Sequence, residues 1–535
     1  MKEKLLELIK NACETENISI DEISLEKPKN SENGDYSTNV ALKLAGTLKK
    51  NPMDVADMLS KHLKASYIKK IDVVKPGFIN FYLDNAYLVE NIDKVLKLDK
   101  DYGRSTMGNG EKVNVEFVSA NPTGIMHLGN ARGGAYGDSL ARILNFAGYK
   151  ATKEYYVNDA GNQIDNLGLS IKARYAQICG QEAEIPENGY HGPEISTIAE
   201  NIYKENKESK LDADLDYFKN LGIDYLLGQI KQDLHDYRID FDVFSSEKAI
   251  REKYDLDEII DKLDKNGYIY TKDDAKWFKC SALYDDKDHV LKKSDGSFTY
   301  FTPDIAYHYD KFKRGFTHVI DVLGTDHHGY VARLKSSVKA LGNDADALDV
   351  KLLQLVRLVD NNEVVKMSKR AGKVVTLREL MDEIGVNAAR YYFSKYSLDT
   401  QMDFDLNLAK KNSSENPVYY VSYAYARICS ILNKYNKDTN VTEYLTLNND
   451  DAYDILEKVY AFPEVVENAA KKELPHLITN YVYSLAQSFH EYYDKVRIIS
   501  DDEEATQENI NLLKAVKITL ANALDLIGII PPESM

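Results

Sequence analysis

The chain is short of cysteine, of long apolar runs and of basic charge, and each shortage excludes something. Its four cysteines, Cys13, Cys179, Cys280 and Cys429, are scattered over 535 residues. They form no CxxC pair and no disulfide pattern, so a reducing, cytoplasmic setting is expected. No uninterrupted apolar stretch approaches the ~20 residues of a membrane span, and no membrane partner is expected. The opening "MKEKLLELIKNACETENISI" reads as an amphipathic helix. It lacks the long apolar segment and small-residue cleavage site of a signal peptide. Lys and Arg number 68 against 85 Asp and Glu, a formal charge of −17. That argues against indiscriminate binding to DNA or anionic membranes, yet a local basic face can still hold one nucleic acid. Internal repeats and low-complexity tracts are absent as well.

What is present is enough chain for three or four domains. Residues 1–98 read as a small α/β module. Helical patterns at 1–14 and 53–64 flank "ENGDYSTNVALKLAG", the strand-like "GFINFYL" follows, and "KDYGRSTMGNGEK" reads as a linker. A second region, 110–395, opens with the buried-strand pattern "VNVEFVSA". Then come a Pro/Gly loop, a helix with Leu140, Ile143, Leu144 and Ala147 on one face and Gly148 at its end, and the strand "KATKEYYVND". Strand, loop, helix, strand is a βαβ unit, which predicts a parallel sheet covered by helices. Charged helical pattern over about 160–275 reads as an insertion. From 405 to 535 strand signals vanish, and Ile478, Val482, Leu485, Phe489, Tyr492 and Val496 recur at helical spacing, which predicts a helical bundle.

The loop "FVSANPTGIMHLGNARGGAYGD" (117–138) crowds Pro122, Gly124, Gly129, Gly133, Gly134 and Gly137 into sixteen positions. Gly124 and Gly129 have the spacing of a phosphate loop, but Asn130-Ala131 stand where Lys-Ser/Thr is required, and no GxGxxG follows a strand. What remains is a helix N-terminus at the end of a first parallel strand, with His127 just ahead of it, a ready anion site. A second stretch, "VVKMSKRAGKVVTLREL" (364–380), carries five basic residues from Lys366 to Arg378 before its first acid, Glu379.

Lys366-Met367-Ser368-Lys369 resembles the mobile lysine motif of class I aminoacyl-tRNA synthetases, and "HLGN" occupies the place of their His-x-Gly-His motif. The segments "EFVSANPTG", "YYVNDAGNQI", "GTDHHGYVARL", "NPVYYVSYAYARI" and "DLIGIIPPESM" narrow the resemblance to the arginyl-tRNA synthetase family over nearly the whole chain. The resemblance implies a Rossmann-like catalytic domain with an inserted subdomain, a small N-terminal α/β domain for tRNA and an all-α anticodon-binding domain. The implied activity is ATP-dependent formation of arginyl-adenylate, then transfer of arginine to the terminal adenosine of tRNA(Arg). The partners are then tRNA(Arg), L-arginine, ATP and Mg²⁺ carried by ATP, with no protein metal ligand, and monomer is the family default.

The resemblance also distributes roles. Arginine falls to Ser119, Asn121, Glu116, Glu247, Tyr300, Asp304 and His327. A guanidinium asks for planar carboxylate pairing, which Glu247 and Asp304 can supply. ATP falls to Ala120, Pro122, Thr123, Gly124, His127, Gly129, Asn130, Gly324, Asp326, His328 and Lys366 to Lys369. Catalysis falls to His127, Gly129, Asn130, Lys366 and Lys369 through positioning and positive charge, since neither step needs a protein nucleophile. His327 and His328 side by side suggest metal ligation, but no third ligand is spaced near them. Asn130 departs from the family's second His: it can donate a hydrogen bond but carries no charge, and retained activity with altered ATP affinity is expected. For tRNA, Asp35, Tyr36 and Asn39 are candidates for the elbow and Tyr420 and Tyr423 for stacking on splayed anticodon bases. The family resemblance further implies that bound tRNA is needed before arginine is activated. The rivals are a synthetase for another amino acid, which an acidic pocket and missing zinc spacing disfavour, and a non-catalytic tRNA-binding paralogue, in which the lysine motif and His127 would be free to decay.

Overall fold

The structure is a computed structural model that describes residues 1–20, 22–28, 30–84, 86–360, 363–365 and 375–535. The chain divides into two compact units, one of residues 1–97, 437–460 and 491–515, the other of residues 98–436, 461–490 and 516–535. These units cut across the three regions read from the sequence. Helical periodicity identifies the C-terminal helices, but it cannot say which core each one joins, and their residues are shared between the two units.

The first unit carries an antiparallel sheet of four strands in the order Leu25–Glu26, Tyr36–Thr38, Phe78–Leu83, Ile68–Val74. Helices Lys2–Thr15, Val40–Leu48 and Pro52–Ser60 cover it, and Leu5, Ile9, Leu44, Leu59, Ile79 and Phe81 form its core. The helices and the strand expected over 77–83 are all there.

The second unit is organised by a five-stranded parallel sheet. Its strands are β1 (Lys112–Glu116), β2 (Lys150–Val157), β3 (Val243–Ser246), β4 (His318–Gly324) and β5 (Leu348–Leu353), in the order β5-β4-β1-β2-β3. The insertion is therefore smaller than its charged pattern suggests. β3 lies inside the stretch assigned to it, and "VFSS" is too short and too polar to announce a sheet strand. Helices Asn162–Ile178, Pro193–Asn206 and Leu215–Asp236 make a separate apolar cluster around Leu167, Tyr175, Phe218 and Leu226.

Helix α1 (Leu128–Phe146) links β1 to β2 and buries Leu140, Ile143 and Leu144. A Cβ at Gly137 would lie 2.1 Å from the ring of Phe117. Only glycine lets α1 sit this close to the chain leaving β1. The helix stops where Ala147 caps it and Gly148 turns left-handed at φ +90. Two further helices matter to the site, α2 (Phe301–Lys313), which precedes β4, and α3 (Leu377–Ser394).

Candidate active site

β1 and β4 are neighbours, yet the chain leaves β1 toward β2 on one side and leaves β4 toward β5 on the other. Loops that diverge from the carboxyl ends of adjacent parallel strands leave a crevice, which is where open α/β sheets bind ligands. A cavity of about 700 Å³ lies there, lined from β1 and its loop by Glu116, Ser119, Ala120, Asn121, Thr123 and Gly124, and from β4 by Asp321, Gly324, Asp326 and His327. A second lobe of about 610 Å³ shares His127, Asn130 and Gly324 with it and is walled by Gly129, Gly133, Leu353, Leu355 and Val356. Each lobe falls within the size range of small-molecule sites.

The loop after β1 is strained. Val118 (φ 67) and Ser119 (φ 38) both occupy the left-handed region, a costly place for a β-branched side chain. The strain aims Ser119 inward, where its hydroxyl donates to Glu116 Oε1 at 2.9 Å and accepts the Tyr156 N–H at 3.1 Å. Asn121 is turned toward Gln163, donating through Nδ2 at 2.8 Å.

His127 caps α1. Its Nδ1 accepts the Gly129 N–H at 3.1 Å, and Asn130 Oδ1 accepts the His127 N–H at 3.0 Å, closing a capping box. A nitrogen that accepts carries no proton, so the neutral ring bears its hydrogen on Nε2 as a free-standing donor. Burial pushes the pKa of His127 down, which favours that neutral form. Asn130 is thereby explained: its amide oxygen closes the cap, a task open to any acceptor at this position. The backbone of His127 pairs with Thr376, and the Leu377 N–H donates to Met126 at 2.9 Å, so the exit of the lysine-motif stretch is fastened to the histidine.

Charge accounting on the floor singles out one group. Lys311, wholly buried on α2, donates to Glu116 Oε2 at 2.5 Å and to Asp321 Oδ1 at 2.7 Å. His308 faces the Asp304 carbonyl through Nδ1 and Asp321 Oδ2 through Nε2, both at 2.8 Å. Both partners only accept, so both ring nitrogens carry protons, and Asp321 raises the pKa of His308 against burial. Two carboxylates thus meet two cations. Glu247, at the end of β3, is met by Arg251 at 2.5 Å. Asp304 has only the hydroxyl of Tyr330. Desolvation raises its carboxyl to about 6, with Glu247 and Glu116 adding to the effect and the Tyr330 hydroxyl and the His308 charge only partly offsetting it. The floor is short of one positive charge.

Most residues expected at the site converge on it. Four of the described ones, Tyr300, His328, Pro122 and Glu247, do not line it. Tyr300 is 70% exposed at the start of α2, and Tyr330 supplies the hydroxyl next to Asp304 instead. His328 is exposed and lines neither lobe. Pro122 is buried under the loop rather than at its surface. Glu247 stands behind Asn158, whose amide, correctly oriented, donates to its Oε2 at 3.2 Å. Lys366, Met367, Ser368 and Lys369 lie outside the described residues. Sequence reasoning missed Lys311, His308, Tyr156 and Tyr330. The signal for the first two was legible: Asp304, His308 and Lys311 recur at i, i+4 and i+7, an ionisable stripe on a helix face that is otherwise apolar.

Away from the cavity, Tyr36 is 5% exposed in the core of the first unit, and Asp35 accepts the Leu83 N–H at 2.7 Å and the Tyr453 hydroxyl at 3.2 Å. A tRNA contact through Tyr36 is therefore corrected to a packing role. Asn39 stands at the N-cap of Val40–Leu48 without a side-chain cap bond. In the second unit Tyr419, Tyr423 and His490 stack in sequence, with centroids 6.1 and 5.9 Å apart. Tyr420 packs on His490 at 4.5 Å, and Arg427 covers Tyr423. Tyr425 is core. Two groups of metal-ligating side chains occur among the described residues, Cys280–Asp285–His289 and His318–Asp349–Glu473, and neither lines the cavity. Each has a protein cation beside it: Arg333 is 3.9 Å from Asp285, and Lys351 is 2.5 Å from Glu473.

Comparison with known proteins decides the family. The chain is 46% identical over its full length to an arginine–tRNA ligase of Bacillus licheniformis, covering 98% of that protein, and 45% identical to that of Bacillus subtilis on the same coverage. The chain belongs to the arginyl-tRNA synthetases. Family models agree: an arginyl-tRNA synthetase N-terminal domain matches residues 1–83, a class I (R) catalytic domain 91–405 and a DALR anticodon-binding domain 421–535. The Thermus thermophilus arginyl-tRNA synthetase shares the fold at a TM-score of 0.77 and 20% identity, with both chains fully covered. The synthetase is an arginine–tRNA ligase of class I, and ATP is a substrate of that class. No helix among the described residues is long and apolar enough to cross a membrane.

Proposed function

We propose that the lobe floored by Asp304 takes the side chain of arginine and that the lobe between α1 and β5 takes the adenosine of ATP, with the α-phosphate over the start of α1 between them. The observation that carries this reading is the desolvated, cavity-lining carboxylate of Asp304, which has no ion-pair partner among the described residues and which a guanidinium would neutralise in planar geometry. Glu247 would complete the clamp from β3, exchanging Arg251 for the substrate. Ser119, Asn121 and Glu116 would hold the α-ammonium and carboxylate, with His327 at the rim.

In the first step the arginine carboxylate attacks the α-phosphate and pyrophosphate leaves. His127 Nε2 and the N–H groups of α1, Gly129 and Asn130 among them, are aimed where phosphate charge develops. Lys366 and Lys369 would add positive charge from the loop whose exit is fastened to His127. Mg²⁺ entering with ATP would be held by the phosphates and would supply neutralising charge to the leaving group. In the second step the 2′-hydroxyl of the terminal adenosine of tRNA attacks the carbonyl of arginyl-adenylate, the ester forms as the anhydride bond breaks, and AMP leaves. Tyr420 and Tyr423, on the aromatic stack, would receive tRNA bases, and the working unit is a monomer in the cytoplasm.

His127→Asn separates the cap from the chemistry, because Asn also caps helices well. The variant is expected to fold with unchanged Tm and to lose about 10²–10³-fold in kcat, the usual effect of removing one preorganised donor. A stable variant with wild-type kcat would remove His127 from the mechanism.

The reading as a whole is tested by pyrophosphate–ATP exchange with each of the twenty amino acids, with and without bacterial tRNA. Exchange with arginine alone, and only when tRNA is present, is expected. Exchange with arginine in the absence of tRNA would keep the substrate and remove the tRNA requirement. No exchange under any condition would leave a tRNA-binding paralogue.

A further inference from the structure

Tyr156, near the carboxyl end of β2, lines the arginine lobe, and its buried hydroxyl accepts no hydrogen bond among the described residues; the Glu247 carboxylate is the one group close enough to take its proton. A buried hydroxyl left short of a donor is costly, and native structures rarely keep one without a use. Its surroundings say what is missing. Burial first, and then the nearby carboxylates Asp304, Glu247 and Glu116, drive its ionisation far up, so the phenol stays neutral and protonated. Such a hydroxyl can donate to one carboxylate, but its lone pairs have no donor to accept from. The ring is also fixed in place. It packs on Tyr307 at 4.5 Å between centroids, and the Tyr156 backbone N–H is tied to Ser119. Tyr307 is itself held by a 3.0 Å bond to Glu154 and by Lys311 over its ring at 4.4 Å.

We infer that the Tyr156 hydroxyl is a specificity-determining contact for the substrate, accepting an N–H of the arginine guanidinium while the flanking carboxylates take the others. A guanidinium presents its donors in one plane around a single carbon, so it can satisfy Asp304, Glu247 and a phenol oxygen together. An ammonium, with three donors on one atom, cannot span the same set. The inference rests on the reading that this cavity binds arginine.

The test is Tyr156→Phe in the full-length enzyme, assayed by aminoacylation and by thermal shift with and without saturating arginine. The expected result is a rise of about ten- to hundredfold in KM for arginine, the effect of losing a hydrogen bond to a charged group. KM for ATP and kcat should stay within threefold. The free enzyme should melt within a degree or two of wild type, since only the loose contact to Glu247 is lost, while the upward shift caused by arginine shrinks. A lower Tm with unchanged KM for arginine would make the hydroxyl structural and overturn the inference. Asp304→Asn, run beside it, separates the two claims. If that variant fails on arginine and Tyr156→Phe does not, only the Tyr156 inference falls. If neither affects KM for arginine, the reading of the cavity falls with it.

Discussion

Replacing Asp304 by Asn is expected to lower kcat/KM for arginine by about 10²–10³-fold or more, the effect of leaving a buried charge without its partner, and at the same time to make the free enzyme more stable. Both effects come from the same charge accounting. Lys311 and His308 satisfy Glu116 and Asp321, and Arg251 meets Glu247, so Asp304 is the carboxylate left for the substrate. In the folded chain its carboxyl titrates at about 6 instead of 3.8. The folded state then holds this proton more tightly than the unfolded chain does. Stability from this group is fully present below the ordinary carboxylate pKa and is lost as pH rises through about 6. Above that pH the ionised group costs on the order of 2–3 kcal/mol. Asn carries no charge, so the variant should melt several degrees higher than wild type at pH 8, with the gap closing toward pH 4. Scanning fluorimetry across that range, beside aminoacylation kinetics, checks both parts. A variant less stable at pH 8 would mean that the carboxylate is already paired in the free enzyme.

Lys311→Met is expected to do the opposite. Lys311 is wholly buried between Glu116 and Asp321, and its ammonium pKa is driven well above the ordinary lysine range by those two partners. Removing it leaves two buried carboxylates facing each other with only His308 between them and water, a loss of about 3–5 kcal/mol. An apparent Tm lower by about 4–6 °C follows for a unit of this size. Because the damage is carboxylate repulsion, it should shrink below about pH 4, where carboxylates protonate. A Tm within a degree of wild type at neutral pH would show that the pairing does not hold the floor together.

How much of this was legible in the sequence differs from element to element. β1, α1 and β2 were legible because the apolar alternation, the helical spacing and the glycine punctuation all agreed. The β3 strand was not, since its four residues carry two serines and owe their conformation to pairing with β2. The carboxylates of the arginine lobe could be placed only by motif resemblance, because an acid in a sequence looks the same whether it faces water or a cation. Asp304 fell at the cavity and Glu247 just behind its lining residue Asn158, whereas Tyr300, one turn ahead of Asp304, is exposed to solvent. Tyr300 stands at the N-cap of α2, where no preceding turn covers its side chain. The capping role of Asn130 was out of reach, since it depends on the χ angles of two side chains. Tyr156 hid for another reason: in a strand rich in aromatics, nothing marks which hydroxyl lacks a donor.

The central claim is that Asp304 waits, partly protonated near pH 6, for the guanidinium of arginine. It is tested most directly by calorimetric titration of arginine into the tRNA-saturated enzyme at pH 6, in two buffers of different ionisation enthalpy. Binding should release a substantial fraction of a proton, because a guanidinium beside Asp304 pulls its pKa back down. The release should vanish at pH 8 and in Asp304→Asn. Heats that are the same in both buffers at pH 6, with arginine bound, would contradict the account.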